Sequence, residues 1–209
     1  LGGGGFWLLH RAADGLDVMI DGRERAPLAA QRDMYLDKNG EVIPHLSIDG
    51  PLAAAIPGEP AALAHLALHY GRLPLARSLA PAIRLAREGF PADAHYLQLA
   101  KFRLKVLRTS PAAAAVLLRD NAVPKPGAMI KQPDLAATLS TLAKLGADGF
   151  YKGALAKKLV KGVRDAGGIW TEEDLASYRA VERPPVTGDY QGWHIISAAP
   201  PSSGGVALL

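Results

Sequence analysis

Two changes of hydrophobic period limit the folds open to this 209-residue chain. Before Pro57 the apolar residues come in short runs split by turn residues. From Pro57 they recur at helical spacing, and from Pro184 onward strand character returns. "FWLLH" (6–10) and "VMID" (18–21) flank the turn signal "AADGLD", which predicts a β-hairpin around Asp14-Gly15. "DMYLDKNGEVI" (33–43) predicts a second turn at Asn39-Gly40 with short extended pieces on each side. "WHIIS" (193–197) is the apolar centre of the closing strand segment. Strands at both ends with a largely helical middle describe an α/β or α+β arrangement whose two ends are expected to meet in one sheet.

The middle reads as a series of helices. "PGEPAALAHLALHYG" puts Leu63, Leu66, Ala67 and Tyr70 on one face, with Pro60 near the start and Gly71 at the end. "PLARSLAPAIRLAREGF" aligns Leu75, Leu79, Ala82 and Ala86, and Pro81 inside it predicts a kink or an early break. Residues 94–108 carry Leu97, Leu104 and Leu107 opposite basic side chains, and 121–132 has the composition of a loop. "PDLAATLSTLAKLG" aligns Leu135, Leu139 and Leu142; "DGFYKGALAKKLVKGVRDAGG" aligns Tyr151, Leu155, Leu159 and Val163 as one helix. Thr171, with Asp174 three residues on, predicts a capped start for the short helix "EEDLASY".

Composition removes several classes of function. The chain has no cysteine, which excludes disulfides, thiol catalysis and Cys-ligated zinc. Its 24 Lys and Arg against 20 Asp and Glu are scattered, so no polybasic segment marks a nucleic-acid partner. "KFRLKVLR" (101–108) is the densest basic run, and its interleaved apolar residues make it an exposed helix face. No apolar run approaches the length of a membrane span. The chain opens without Met and stops at "SSGGVALL" as an apolar segment begins, so it reads as a piece of something longer.

Four constellations could carry chemistry. Gly2 to Gly5 lack a following Gly-Lys-Ser/Thr and lead into a strand, so they suit close backbone packing rather than a phosphate. His65 and His69 have the i, i+4 spacing of metal ligands but lack the Glu of His-Glu-x-x-His and a marked third ligand. Ser202-Ser203-Gly204-Gly205 does not follow the Gly-x-Ser-x-Gly pattern of a nucleophile elbow, and reads as a strand-to-helix connection capped by Ser. The last is "VMIDGRERAPLAA" (18–30), where a strand stops at a row of charges. A guanidinium at a strand end offers a planar fork that grips a carboxylate through two parallel hydrogen bonds. Asp21 or Glu24 could pin Arg23 there, or either could simply solvate the turn.

These residues together resemble the γ-glutamyltranspeptidase family. The resemblance runs through "LGGGGFWLLH", "IDGRERAPLAA", "DMYLD", "GPLAAAIPGEPAAL", "HYGRLPLARSLAPAIRLAREGFP", "FYKGALAKKLV" and "GGIWTEEDLASYRAVERPPVTGDYQGWHIISAAPPSSGG". The blocks follow the family's order over nearly the whole chain, with 94–132 the least similar part.

The resemblance implies an α/β fold, part of the αββα sandwich of the N-terminal-nucleophile hydrolases. It implies that residues 1–209 are a single partial domain from a large subunit, partnered by a small subunit cut from the same precursor. It implies a small-molecule γ-glutamyl substrate, no cofactor, no metal, no nucleic acid, and a periplasmic or secreted location. Arg23 matches the arginine of the family's Asp-x-Arg-Glu motif, which binds the substrate's α-carboxylate. The nucleophilic Thr has no counterpart here: none of Thr109, Thr138, Thr141, Thr171 and Thr187 lies in its motif, so no catalytic residue is assigned and the chain alone is expected to be inactive. Relatives of the same architecture with another acyl group, such as a cephalosporin acylase or a capsule-processing transpeptidase, are the alternative, followed by an inactive homologue that binds amino acids or partners.

Overall fold

The computed structural model describes residues 3–209. Strands β1 (Phe6–Arg11) and β2 (Leu16–Asp21) form the expected hairpin, antiparallel from Phe6 opposite Asp21 to Arg11 opposite Leu16. Gly15 closes the turn at φ +70°, a backbone region costly for any residue with a Cβ. The Asn39-Gly40 turn also forms, but its flanks meet only at a bridge between Leu36 and Val42. The Asp37 carboxylate accepts the N–H groups of Asn39 and Glu41 at the turn. The backbone bonds beside the bridge are those from Asp37 N–H to the Glu41 carbonyl and from Ile43 N–H to the Tyr35 carbonyl.

The helical middle follows. Helix α1 spans Glu59–His69, α2 Leu75–Glu88, α3 Ala94–Phe102, α4 Leu104–Leu107 and α5 Pro111–Leu117. Between them the short strand β3 (Phe90–Pro91) pairs with β4 (Met129–Ile130) from within the expected loop. Then come α6 (Pro133–Leu145), α7 (Ala147–Tyr151), α8 (Gly153–Asp165) and α9 (Glu172–Ala176). Strands β5 (Val181–Arg183), β6 (Val186–Tyr190) and β7 (Trp193–Ser197) lead to α10 (Gly204–Leu208). The class is α/β, as expected. No helix among the described residues is long and apolar enough to cross a membrane.

Of the helical expectations, the early break at Pro81 and the single helix over 148–166 need correction. Helix α2 does not break at Pro81 but runs on to Glu88, because that proline lies on the exposed side while Leu79 and Ala86 are buried. The single helix expected over 148–166 is two. Lys152 is extended and Gly153 sits at φ +69°, and the break leaves Phe150 and Tyr151 buried.

The residues group into two compact units, one of Leu73–Leu145 and one of the segment up to Arg72 together with Gly146–Leu209. In the second unit β2 lies between β1 and β5, pairing Met19 with Arg183 and Asp21 with Val181, so the N-terminal hairpin meets the later chain through β5. The closing strands expected in that sheet, β6 and β7, instead pair with each other in a separate one, Val186 opposite Ser197 to Tyr190 opposite Trp193. A strand flanked on both sides and covered on both faces reads as a continuous apolar run, as "VMI" does. Val18 and Ile20 pack with Ala62 of α1, and Trp7, Leu66 and Tyr70 close around them. Met19, fully buried, points the other way and accepts the Ala199 N–H at its sulfur, 3.1 Å away.

Candidate functional site

The end of β2 is where these elements converge. The ladder continues one pair past β1 and β2, through reciprocal N–H···O bonds between Gly5 and Gly22. Of the glycines expected to allow close backbone packing, Gly4 does so, Gly3 and Gly5 do not, and Gly2 lies outside the described residues. A Cβ on Gly4 would lie 2.6 Å from both the Arg23 Cα and the Gly22 oxygen. One on Gly58 would overlap the Gly22 oxygen and the Tyr178 hydroxyl. Gly3 accepts the N–H groups of Gly58 and Glu59, and Arg25 exchanges two backbone bonds with Ile56. Three stretches of backbone, 3–5, 22–25 and 56–59, are thereby laced together at the N-terminus of α1.

Arg23 stands on this lacing. Its N–H donates to Asp21 Oδ1 at 3.0 Å, and its carbonyl accepts the Tyr178 O–H at 2.7 Å. Asp21, 8% exposed, receives Arg183 Nε on its other oxygen at 2.8 Å. So Asp21 does pin Arg23, but by the backbone, while its charge is balanced from β5. The guanidinium itself is lightly held. Nη1 reaches the Pro201 carbonyl at 3.4 Å, Nε is 3.8 Å from Glu24 Oε1, and half of the side chain is exposed. The two other arginines nearby are committed: Arg183 to Asp21, and Arg25 to the Arg179 carbonyl with its Cζ 5.1 Å from the Tyr178 ring centroid. A fork with most of its five donors uncommitted, on a backbone held at both its N–H and its C=O, can take a planar anion without paying to order the main chain.

Tyr178 was not marked in the sequence. It follows the capped helix α9, whose Thr171–Asp174 capping box forms as expected, and Asp174 also accepts the Leu28 N–H. The ring stacks on Tyr151, with centroids 5.5 Å apart and planes 9° from parallel. Burial, partly offset by Arg25, pushes the Tyr178 hydroxyl up to about 12. It therefore remains a donor at any working pH. The Tyr151 hydroxyl, raised by burial as well, donates to the Pro57 carbonyl and accepts the Ala61 N–H.

The remaining candidates lie elsewhere or make no bond here. His65 Nε2 pairs with Glu182 Oε1 at 2.7 Å, Tyr70 O–H donates to the same oxygen, and the His65 and His69 rings are 4.3 Å apart. No group of three metal-binding side chains occurs among the described residues. Ser203 occupies the N-cap position of α10 without a side-chain capping bond.

The family model described as gamma-glutamyltranspeptidase matches residues 1–209. Glutathione hydrolase proenzymes of Pseudomonas sp. strain A14 and Escherichia coli K12 are each 40% identical, over all of this chain and 36% of their own length. The chain thus spans about a third of the curated relatives it matches. The crystal structure of Helicobacter pylori γ-glutamyltranspeptidase superposes with a TM-score of 0.95 at 41% identity, covering 99% of this chain and 59% of that one. The Bacillus anthracis transpeptidase CapD gives a TM-score of 0.77 at 28% identity over 97% of this chain and 61% of that one. Cephalosporin acylase from Bacillus halodurans gives 0.78 at 31%, over 93% and 37%. With a match along its whole length and a backbone that superposes this closely, the chain belongs to the γ-glutamyltranspeptidase family.

Proposed function

We propose that the complete protein transfers or hydrolyses the γ-glutamyl group of glutathione and related amides, and that Arg23 binds the donor's α-carboxylate. The observation that carries this is the uncommitted fork of Arg23 on a doubly anchored backbone. Gripping the α-carboxylate fixes one end of the glutamyl group and so holds its γ-carbonyl at a set distance, where proximity lowers the barrier. A Thr supplied outside this chain attacks that carbonyl, with its own α-amine as general base. The C–N bond breaks, the amine leaves with the proton, and a γ-glutamyl ester remains until water or an acceptor amine takes the acyl group. Backbone N–H groups stabilise the oxyanion of each step.

In this reading residues 1–209 form one partial domain of a large subunit, and the partner is the small subunit of the same precursor. The proenzyme relatives, of which this chain spans 36%, support a second part. We infer a periplasmic or secreted location, which fractionation of the complete protein tests.

The deciding experiment is donor kinetics of Arg23 variants in the complete protein. Arg23→Ala is expected to weaken donor binding by about 2–5 kcal/mol, the cost of removing one partner of a desolvated charge pair. Arg23→Lys recovers part of it, because a point charge replaces a fork. Wild-type kinetics in both variants would end the assignment. The acylase reading, favoured by the B. halodurans neighbour, predicts equal use of donors with and without the α-carboxylate.

A further inference from the structure

Arg23 can aim its fork only as well as its own peptide is fixed, and that peptide is held from two sides. On the N–H side the acceptor is Asp21, two residues back at the end of β2. On the C=O side the donor is the Tyr178 hydroxyl, 155 residues further along the chain. Tyr178 is built as a fixed post: its side chain is buried, Tyr151 stacks on it, the Arg25 guanidinium lies 5.1 Å from its ring centroid, and Gly58 leaves room for its hydroxyl. Nothing about packing alone requires a hydroxyl on that ring, since phenylalanine would stack and receive Arg25 in the same way.

We propose that Tyr178 is a positioning residue for donor binding, whose O–H···O=C bond to Arg23 sets the direction of the guanidinium. This rests on the reading of Arg23 as the carboxylate clamp. Without the Tyr178 bond the Arg23 backbone is anchored only at its N–H, and the Cα that carries the guanidinium toward Pro201 is no longer fixed from its C=O side. The hydroxyl therefore acts on where the substrate's carboxylate is met, and not on the chemistry at the γ-carbonyl.

The test compares two donors in the complete protein: a γ-glutamyl anilide, and the 4-aminobutyryl anilide that lacks only the α-carboxylate. Tyr178→Phe is expected to raise KM for the γ-glutamyl donor about five- to tenfold, the loss of one neutral hydrogen bond. The kcat should stay within about threefold and the 4-aminobutyryl donor should be unaffected, because the geometry at the reacting carbonyl is untouched. Tyr178→4-aminophenylalanine, which returns a donor to the same place, is expected to recover most of the loss. Equal losses on both donors would make Tyr178 merely structural and overturn the inference, and the ratio between donors decides this even where the variant folds less well. Unchanged KM in Tyr178→Phe, alongside a large rise in Arg23→Ala, would overturn the inference and leave the clamp standing. Unchanged KM in Arg23→Ala would overturn both.

Discussion

Arg23 differs from the arginines around it in what its donors are left to do. Arg183 places its Nε on a buried carboxylate and Arg25 its guanidinium on a carbonyl and a ring, whereas Arg23 holds one long bond to Pro201 and a 3.8 Å ion pair with Glu24. The freedom of its side chain depends on the lack of freedom beneath it, and Gly4 is part of that restraint. A methyl group on Gly4 would meet the backbone of 22–24, atoms that cannot swing aside as a side chain would. Gly4→Ala is therefore expected to cost about 1–3 kcal/mol of stability, the range for overpacking. It should also raise donor KM in the complete protein. Urea denaturation reads the first effect and steady-state kinetics the second; a fully wild-type variant on both counts would show that the lacing is slack.

Helix α1 and strand β5 are joined by a tie in which the proposed chemistry has no part. Glu182 on β5 accepts from Tyr70 and pairs with His65 across the exposed end of α1. The hydrogen bond from His65, then that from Tyr70, holds the Glu182 carboxyl below its ordinary 4.5. A carboxyl whose folded value is depressed stabilises the fold above its unfolded value, and the contribution is lost as pH falls through the folded one. The Tm of the wild-type chain should exceed that of Glu182→Gln near neutral pH, with the gap closing as pH drops below 4.5. The tie is largely exposed, so the gap corresponds to less than about 1 kcal/mol. A gap that widened on acidification would assign the tie to something other than the carboxylate.

Across the molecule, the proposed function gives this chain the substrate clamp and leaves the nucleophile to a Thr supplied from outside it. Three of the chain's five threonines make local structural bonds: Thr171 caps α9, Thr141 donates to the Ala137 carbonyl within α6, and Thr109 donates to the Val106 carbonyl. The purified 209-residue chain is expected to show no turnover of a γ-glutamyl anilide. Turnover by this chain would place the nucleophile within it and undo the division of labour proposed above.

Much of this was readable from local patterns. The Asp14-Gly15 hairpin, the capping box at Thr171 and Asp174, and the helical period after Pro57 are short-range signals, set by turn chemistry and by which face of an element must be buried. The row of charges after "VMID" marked Arg23, and the family motif gave it a role to test. What local patterns could not carry was anything joined across the chain. That Asp21 holds Arg23 by its backbone while Arg183 balances the charge depends on β5 returning beside β2. That Tyr178 reaches the Arg23 carbonyl depends on three stretches of backbone closing at distances only glycine allows. Side chains and spacing name the elements; which hydrogen bonds form between distant elements is settled when the chain packs, because those partners have no fixed separation until then.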